Sequence, residues 1–134
     1  MTTPLPHAVI LFAHGARDPR WSAPFEAVAE RVRAARPGCS LRLAYLEFMS
    51  PTLAQAAADL ASIGCLQVDV LPLFLGTGGH LRKDLPVLME ALRLAQPGVS
   101  FTLHPAVGEM DAVTAAMAGV AIALLPAASV QGAA

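Results

Sequence analysis

Along the chain, short apolar runs alternate with longer stretches in which apolar residues return every three or four positions. Ala8 to Ala13 is a continuous apolar run of strand length, the pattern of a strand buried on both faces of a parallel sheet. Trp21, Phe25, Val28, Ala29 and Val32 then recur at helical spacing and predict a helix over 22–35, with Pro24 tolerated in its first turn. Pro37-Gly38 ends it. Leu41, Leu43 and Tyr45, alternating with Arg42, Ala44 and Leu46, predict a second strand that leads into Glu47. Ser50-Pro51 reads as a helix start, serine capping and proline in the first helical position, with Leu53, Ala56, Ala57, Leu60 and Ala61 as the buried stripe. Gly64 closes that helix, and residues 66–75 predict a third strand, with Pro72 near its end, running into Gly76-Thr77-Gly78-Gly79. Asp84 reads as the cap of a third helix carrying Leu85, Leu88, Met89 and Leu92, stopped by Pro97-Gly98. Residues 100–104 form a short fourth strand. Asp111 to Leu125 predicts a last helix with hardly a charged residue on any face, so its outer side is expected to be covered, most simply by a second copy of the chain.

Strand-helix alternation with right-handed crossovers predicts an α/β fold: a small open parallel sheet of about four strands with helices on both faces. The expected organisation is one domain over 1–126 and a frayed tail over 127–134. Composition narrows the function classes. With 55% hydrophobic and 14% charged residues the chain is rich in core, and a net charge of −1 supplies no general attraction for nucleic acid. Cys39 and Cys65 stand outside any C-x-x-C spacing and are expected to be buried, reduced thiols. Met1 to Pro6 has no basic segment followed by a long apolar one, so a cytoplasmic location is expected. Ala112 to Leu125 is too short, and too broken by Thr114 and Gly119, to span a membrane.

The candidate chemistry gathers at one edge of the predicted sheet. Ligands of open parallel sheets bind beyond the carboxyl ends of the strands. His14 follows the first strand, Glu47 ends the second, His80 follows the third, and His104 ends the fourth; His7 lies at the opposite edge and is expected at the surface. An imidazole on a glycine-bordered loop meets a metal or a proton without obstruction from the backbone. His14, Glu47 and His80 therefore form the candidate site. Imidazole nitrogen and carboxylate oxygen suit borderline divalent ions such as cobalt, nickel, iron and zinc, and two imidazoles with one carboxylate leave positions open for an ion that is handed on. Glu47 could orient an imidazole, ligate the ion or accept a proton. Gly76, Gly78 and Gly79 could instead cradle an anion with exposed amides. Arg17, Arg20, Arg82 and Lys83 flank the two histidine segments as cations at the proposed mouth, with a solvated rim as their plain alternative.

Five segments resemble a known group: His14-Gly15-Ala16-Arg17-Asp18-Pro19-Arg20, Tyr45-Leu46-Glu47, Pro51-Thr52-Leu53, Pro72-Leu73-Phe74-Leu75, and Gly78-Gly79-His80-Leu81-Arg82-Lys83-Asp84-Leu85-Pro86. Together, and in order over about residues 8–109, they look like the short form of the sirohydrochlorin cobaltochelatase family, among the class II tetrapyrrole chelatases. The resemblance implies a chelatase-like half-lobe that works as a homodimer. It also implies ATP-independent insertion of a divalent metal, Co²⁺ or else Fe²⁺ or Ni²⁺, into sirohydrochlorin or a related tetrapyrrole. No organic cofactor is implied. His14 and His80 would hold the ion, with Glu47 in support; Arg17, Arg20, Gly78, Gly79, Arg82 and Lys83 would receive the carboxylates of the substrate rim. The pattern departs at Ala16, where the family commonly has serine, and near Glu109, where many members carry another histidine.

Two other functions compete. A carrier would bind the same metal or tetrapyrrole without inserting the ion. A histidine phosphatase would use His14 as nucleophile, but that class needs an arginine immediately before the histidine, and this chain has Ala13.

Overall fold

The computed structural model describes residues 6–127. Four strands, β1 (His7–Ala13), β2 (Ser40–Tyr45), β3 (Gln67–Pro72) and β4 (Ser100–Leu103), form one parallel sheet in the order β2-β1-β3-β4. The helices are α1 (Ala23–Ala35), α2 (Leu53–Ser62), α3 (Gly79–Ala95) and α4 (Asp111–Ala123), with short 3-10 turns at Pro19–Ser22 and Val107–Glu109. Every strand thus returns through a helix, as parallel pairing requires. The expected α/β architecture is the one observed; Ala127 apart, the expected tail lies outside the described residues.

The two faces of the sheet are covered unequally. Ile10, Phe12, Val68, Val70 and Phe101 point to one side and pack against Leu53, Ala56, Ala57 and Leu60 of α2 and Leu85, Met89 and Leu92 of α3. Phe12, Ile10, Leu60 and Met89 are among the largest fully buried side chains, and each contributes about 1.5–3 kcal/mol of transfer free energy. On the other side α1 covers Leu11, Leu41, Val9 and Leu43 through Ala29 and Val32. Beyond α1, strand alternation turns Asp69, Thr102 and His104 to that same side, where Thr102 is exposed and the other two are half-buried. The last helix does not fill this gap. No residue of α4 is buried, and Met117, Val120 and Ile122 face solvent along an apolar surface.

Three local expectations need correction. Helix α2 starts at Leu53, not at Pro51, because the Pro51 carbonyl accepts from the Tyr45 amide and the pair Tyr45 and Thr52 extends the strand ladder. Thr52 is the cap: its hydroxyl accepts from the Gln55 amide while the Gln55 side chain accepts from the Thr52 amide, a reciprocal capping box. Helix α3 starts at Gly79, with Gly78 as cap and Pro86 inside it, six residues before the expected start. Leu81 packs on the same core as Leu85 and Leu88, so an apolar stripe one turn longer offsets the missing proline N–H. Cys65 is buried as expected, whereas Cys39 is only half-buried; both are free thiols.

Candidate functional site

The strand order places a crevice between β1 and β3. The chain steps from β1 outward to β2 and then returns to the far side of β1 to lay down β3 and β4, so the reversal of order falls between the carboxyl ends of β1 and β3. His14 follows β1 directly. Its position is set by an extension of the β1–β2 ladder: the Leu46 amide donates to the Ala13 carbonyl at 2.9 Å and the Glu47 amide to the His14 carbonyl at 3.1 Å. Gly15 makes that approach possible. Its φ is +90°, and a Cβ there would stand 1.9 Å from the Glu47 carbonyl oxygen. The two segments are thereby held together, and His14 Nε2 lies 3.3 Å from Glu47 Oε1. Both side chains are about half exposed, so the pair orients the imidazole more than it stabilises the fold.

His80 arrives from the other wall. It is the second residue of α3, one step inside a helix rather than on an open loop, with Gly78 and Gly79 bringing the chain round to it. His14, Trp21, Phe74, Gly78, Gly79 and His80 share the lining of one cavity of about 460 Å³. Phe74 lies beneath His14, its ring centroid 5.9 Å from the imidazole and 5.8 Å from that of Phe12, so the His14 ring rests on the core. The loop carrying Phe74 is tied from the opposite side as well. The Gly108 amide donates to the Phe74 carbonyl at 3.0 Å, and a Cβ on Gly108 would meet the Leu75 carbonyl oxygen at 1.7 Å.

The crevice gathers two imidazoles, with the carboxylate at one side. Glu47 touches His14 but does not line the cavity. Among the described residues no three His, Cys, Asp or Glu side chains stand close enough together to hold an ion by themselves. A second hollow, of about 400 Å³, lies at the opposite edge of the sheet beside His7, Arg36, Pro37 and Cys39, away from the switch in strand order.

None of the four expected cations lines the cavity, and each has its own surroundings. The Arg17 guanidinium carbon sits 4.9 Å from the centroid of the Phe48 ring. Arg20 turns to Asp18, its side chain bonded to both carboxylate oxygens, and this contact holds the Asp18 carboxyl below the usual range. Arg82 donates through Nε to the Thr77 hydroxyl at 3.3 Å, while Lys83 is exposed on the first turns of α3. His104 does not join the crevice. Its Nε2 lies 2.7 Å from Asp69 Oδ1, and His7 Nε2 meets the other oxygen of the same carboxylate. Hydrogen bonding from His104, and then from His7, holds the Asp69 carboxyl below its ordinary range.

Residues 8–121 match the sequence model of the family described as CbiX, which is most of the chain. The chain belongs to the CbiX family. A sirohydrochlorin cobaltochelatase of Saccharolobus solfataricus is 33% identical over 81 residues, which cover 60% of this chain and 62% of that protein. The chain therefore matches somewhat under two thirds of the length of this curated relative. A crystal structure of a CbiX protein from Marinobacter aquaeolei VT8 superposes with a TM-score of 0.80 at 35% identity, covering 88% of this chain and 96% of that one. The sirohydrochlorin chelatase SirB of Bacillus subtilis subspecies spizizenii, solved in complex with cobalt, shares the fold with a TM-score of 0.75 at 20% identity. It is covered over only 50% of its length, against 88% of this chain. One CbiX unit of this size thus corresponds to half of that larger chain.

The sequence pattern does not single out Trp21 and Phe74, which line the crevice, or Phe48, which stands beside Arg17. Trp21 was assigned to a helix stripe, yet it precedes α1 in a 3-10 turn and lines the cavity; as the single tryptophan at the end of the pattern nearest His14 it carried a usable signal. Phe74 falls within the expected third strand but lies beyond β3, in a loop, where it is buried in the core and also supports His14. Phe48 gave no periodic signal, since it belongs to neither β2 nor α2.

Proposed function

We propose that this chain, acting as a homodimer, inserts a divalent metal ion into sirohydrochlorin or a closely related tetrapyrrole without ATP. Cobalt is the favoured ion, with iron and nickel as alternatives. The observation that carries the reading is the shared crevice: His14 and His80, 66 positions apart in the sequence, line one cavity at the switch in strand order. The name borne by the 33% identical relative agrees with it.

Metal insertion needs the ion to lose water, two pyrrole N–H protons to leave, and the ring nitrogens to reach the metal. His14 and His80, both neutral, bind the ion, because a protonated imidazole cannot ligate. Two protein nitrogens grip it loosely enough for the four ring nitrogens to take over, as expected where no third ligand among the described residues closes the shell. Glu47, 3.3 Å from His14, accepts one pyrrole proton as the metal enters, and the second leaves to bulk water. Arg17, Arg20, Arg82 and Lys83 receive the rim carboxylates, assisted by the Gly78–Gly79 turn at the amino end of α3. The exposed apolar α4 supplies the contact with a second copy, which closes the open side of a crevice too small for a whole macrocycle.

The test is an anaerobic absorbance assay of purified protein with sirohydrochlorin and Co²⁺, Fe²⁺ or Ni²⁺ in turn, comparing rates. Acceleration over the protein-free reaction with at least one ion is expected, greatest for Co²⁺. Tight binding of tetrapyrrole with no acceleration for any ion would replace the reading with that of a carrier.

A further inference from the structure

Phe48 occupies a position that neither its backbone nor its side chain favours. It is the one non-glycine residue with positive φ among the described residues, at +64°. The Met49 amide donates to the Glu47 carbonyl at 2.8 Å, which closes a three-residue turn centred on Phe48 in the rare left-handed form. Glycine or asparagine would sit there with less strain. Phe48 gains little burial in exchange, since the residue is 57% exposed. Strain of this kind persists where the surroundings over-determine it, and it gathers at ligand clamps.

The surroundings here are specific. Glu47, the preceding residue, is fixed to His14 by the paired backbone bonds and by the close approach at Gly15, so the turn cannot relax away from the crevice. The Arg17 guanidinium, 4.9 Å from the ring centroid, holds the ring from one side. Because β2 and β3 flank β1, Phe48 follows the strand on one side of β1 and His80 the strand on the other, while His14 follows β1 itself.

We propose that Phe48 is a stacking platform for the flat face of the tetrapyrrole, presented by its strained turn and backed by Arg17. The proposal rests on the reading of the crevice as a metal-insertion site and adds the residue that recognises the ring itself. An exposed aromatic surface binds a conjugated face, while the guanidinium over it stays within reach of a rim carboxylate. The ligand class is therefore a flat conjugated macrocycle bearing acidic side chains, lying across His14 with one edge on Phe48.

The experiment compares wild type, Phe48→Gly and Phe48→Tyr by titration with metal-free sirohydrochlorin, by steady-state Co²⁺ insertion and by thermal melting. Phe48→Gly should melt at or above the wild-type temperature, because glycine relieves the turn, yet bind tetrapyrrole roughly five- to tenfold more weakly, the scale of one aromatic stack. Its KM for tetrapyrrole should rise by the same factor with kcat little changed, and Phe48→Tyr should restore wild-type KM. Wild-type affinity in Phe48→Gly, or a loss confined to kcat and melting temperature, would overturn the platform alone. If wild type itself neither binds nor metallates the tetrapyrrole, the reading of the crevice falls instead.

Discussion

His14 is fixed on three sides: Phe74 beneath its ring, the Glu47 carboxylate beside it and the Glu47 amide on its carbonyl. Fixing the ring makes the role of Glu47 separable from that of its neighbour. Glu47→Gln keeps the shape and removes the base, so kcat for insertion should fall by ~10²-fold or more with Co²⁺ affinity nearly unchanged. A rise in the metal KM at constant kcat would make Glu47 a ligand instead. Asp69 gives a second prediction, one of stability. Its carboxyl is held low by His104 and His7, so the ionised form is favoured in the fold. The stabilisation is fully present above the ordinary aspartate value of ~3.9 and is lost as pH falls through the lowered native value. Asp69→Asn should therefore melt below wild type near neutral pH, with the gap closing in acid; a gap unchanged from pH 7 to pH 2 would contradict this. At this scale the sequence was half legible. The meeting of His14 with His80 and Glu47 was legible because each follows a recognisable strand, whereas His104, which also ends a strand, turns to Asp69 on the half-covered face. Nothing in its spacing distinguishes the two outcomes; the difference lies in a carboxylate 35 residues away.

Elements were read more securely than their ends. β1 is an apolar run and the other strands alternate apolar and polar residues after a glycine, while each buried helix repeats its stripe for at least two turns, so type and order were visible in the pattern. The starts of α2 and α3 were misplaced because capping is decided by which residue is free to bond. Ser50 is a good cap by type, but the Pro51 carbonyl was already taken by β2. Asp84 is likewise a good cap by type, but α3 begins six residues earlier, with Leu81 packed on the core. The loops between elements are held by two close backbone approaches. Gly15→Ala places a left-handed alanine, costing roughly 1–2 kcal/mol, against the Glu47 carbonyl. Gly108→Ala forces the Leu75 loop apart. Both variants should melt earlier than wild type, and both should lose insertion activity beyond what melting explains, as His14 moves from Glu47 in the first and from His80 in the second. Full activity in a destabilised Gly15→Ala protein would separate loop packing from site geometry.

At the scale of the molecule the chain has two unmatched surfaces, the apolar helix α4 and the part of the sheet that α1 leaves open. The proposed homodimer would cover the apolar face of α4. Val120→Asp with Ile122→Asp should convert a dimer to a monomer in sedimentation at micromolar concentration, leaving the fold intact because no α4 residue is buried in the single chain. A wild-type protein that sediments as a strict monomer would contradict the assembly. The cations around the crevice add a salt signature: raised ionic strength should weaken tetrapyrrole capture through Arg17, Arg82 and Lys83 more than it weakens metal binding. The central claim is that one crevice uses His14 and His80 together on a single ion. Its most direct test is the initial rate of Co²⁺ insertion into sirohydrochlorin, followed by absorbance, for wild type, His14→Ala, His80→Ala and the double variant. Each single substitution should cost at least ~10²-fold and the double variant little more, as for residues that act as a unit. Wild-type rates in both single variants would contradict the account.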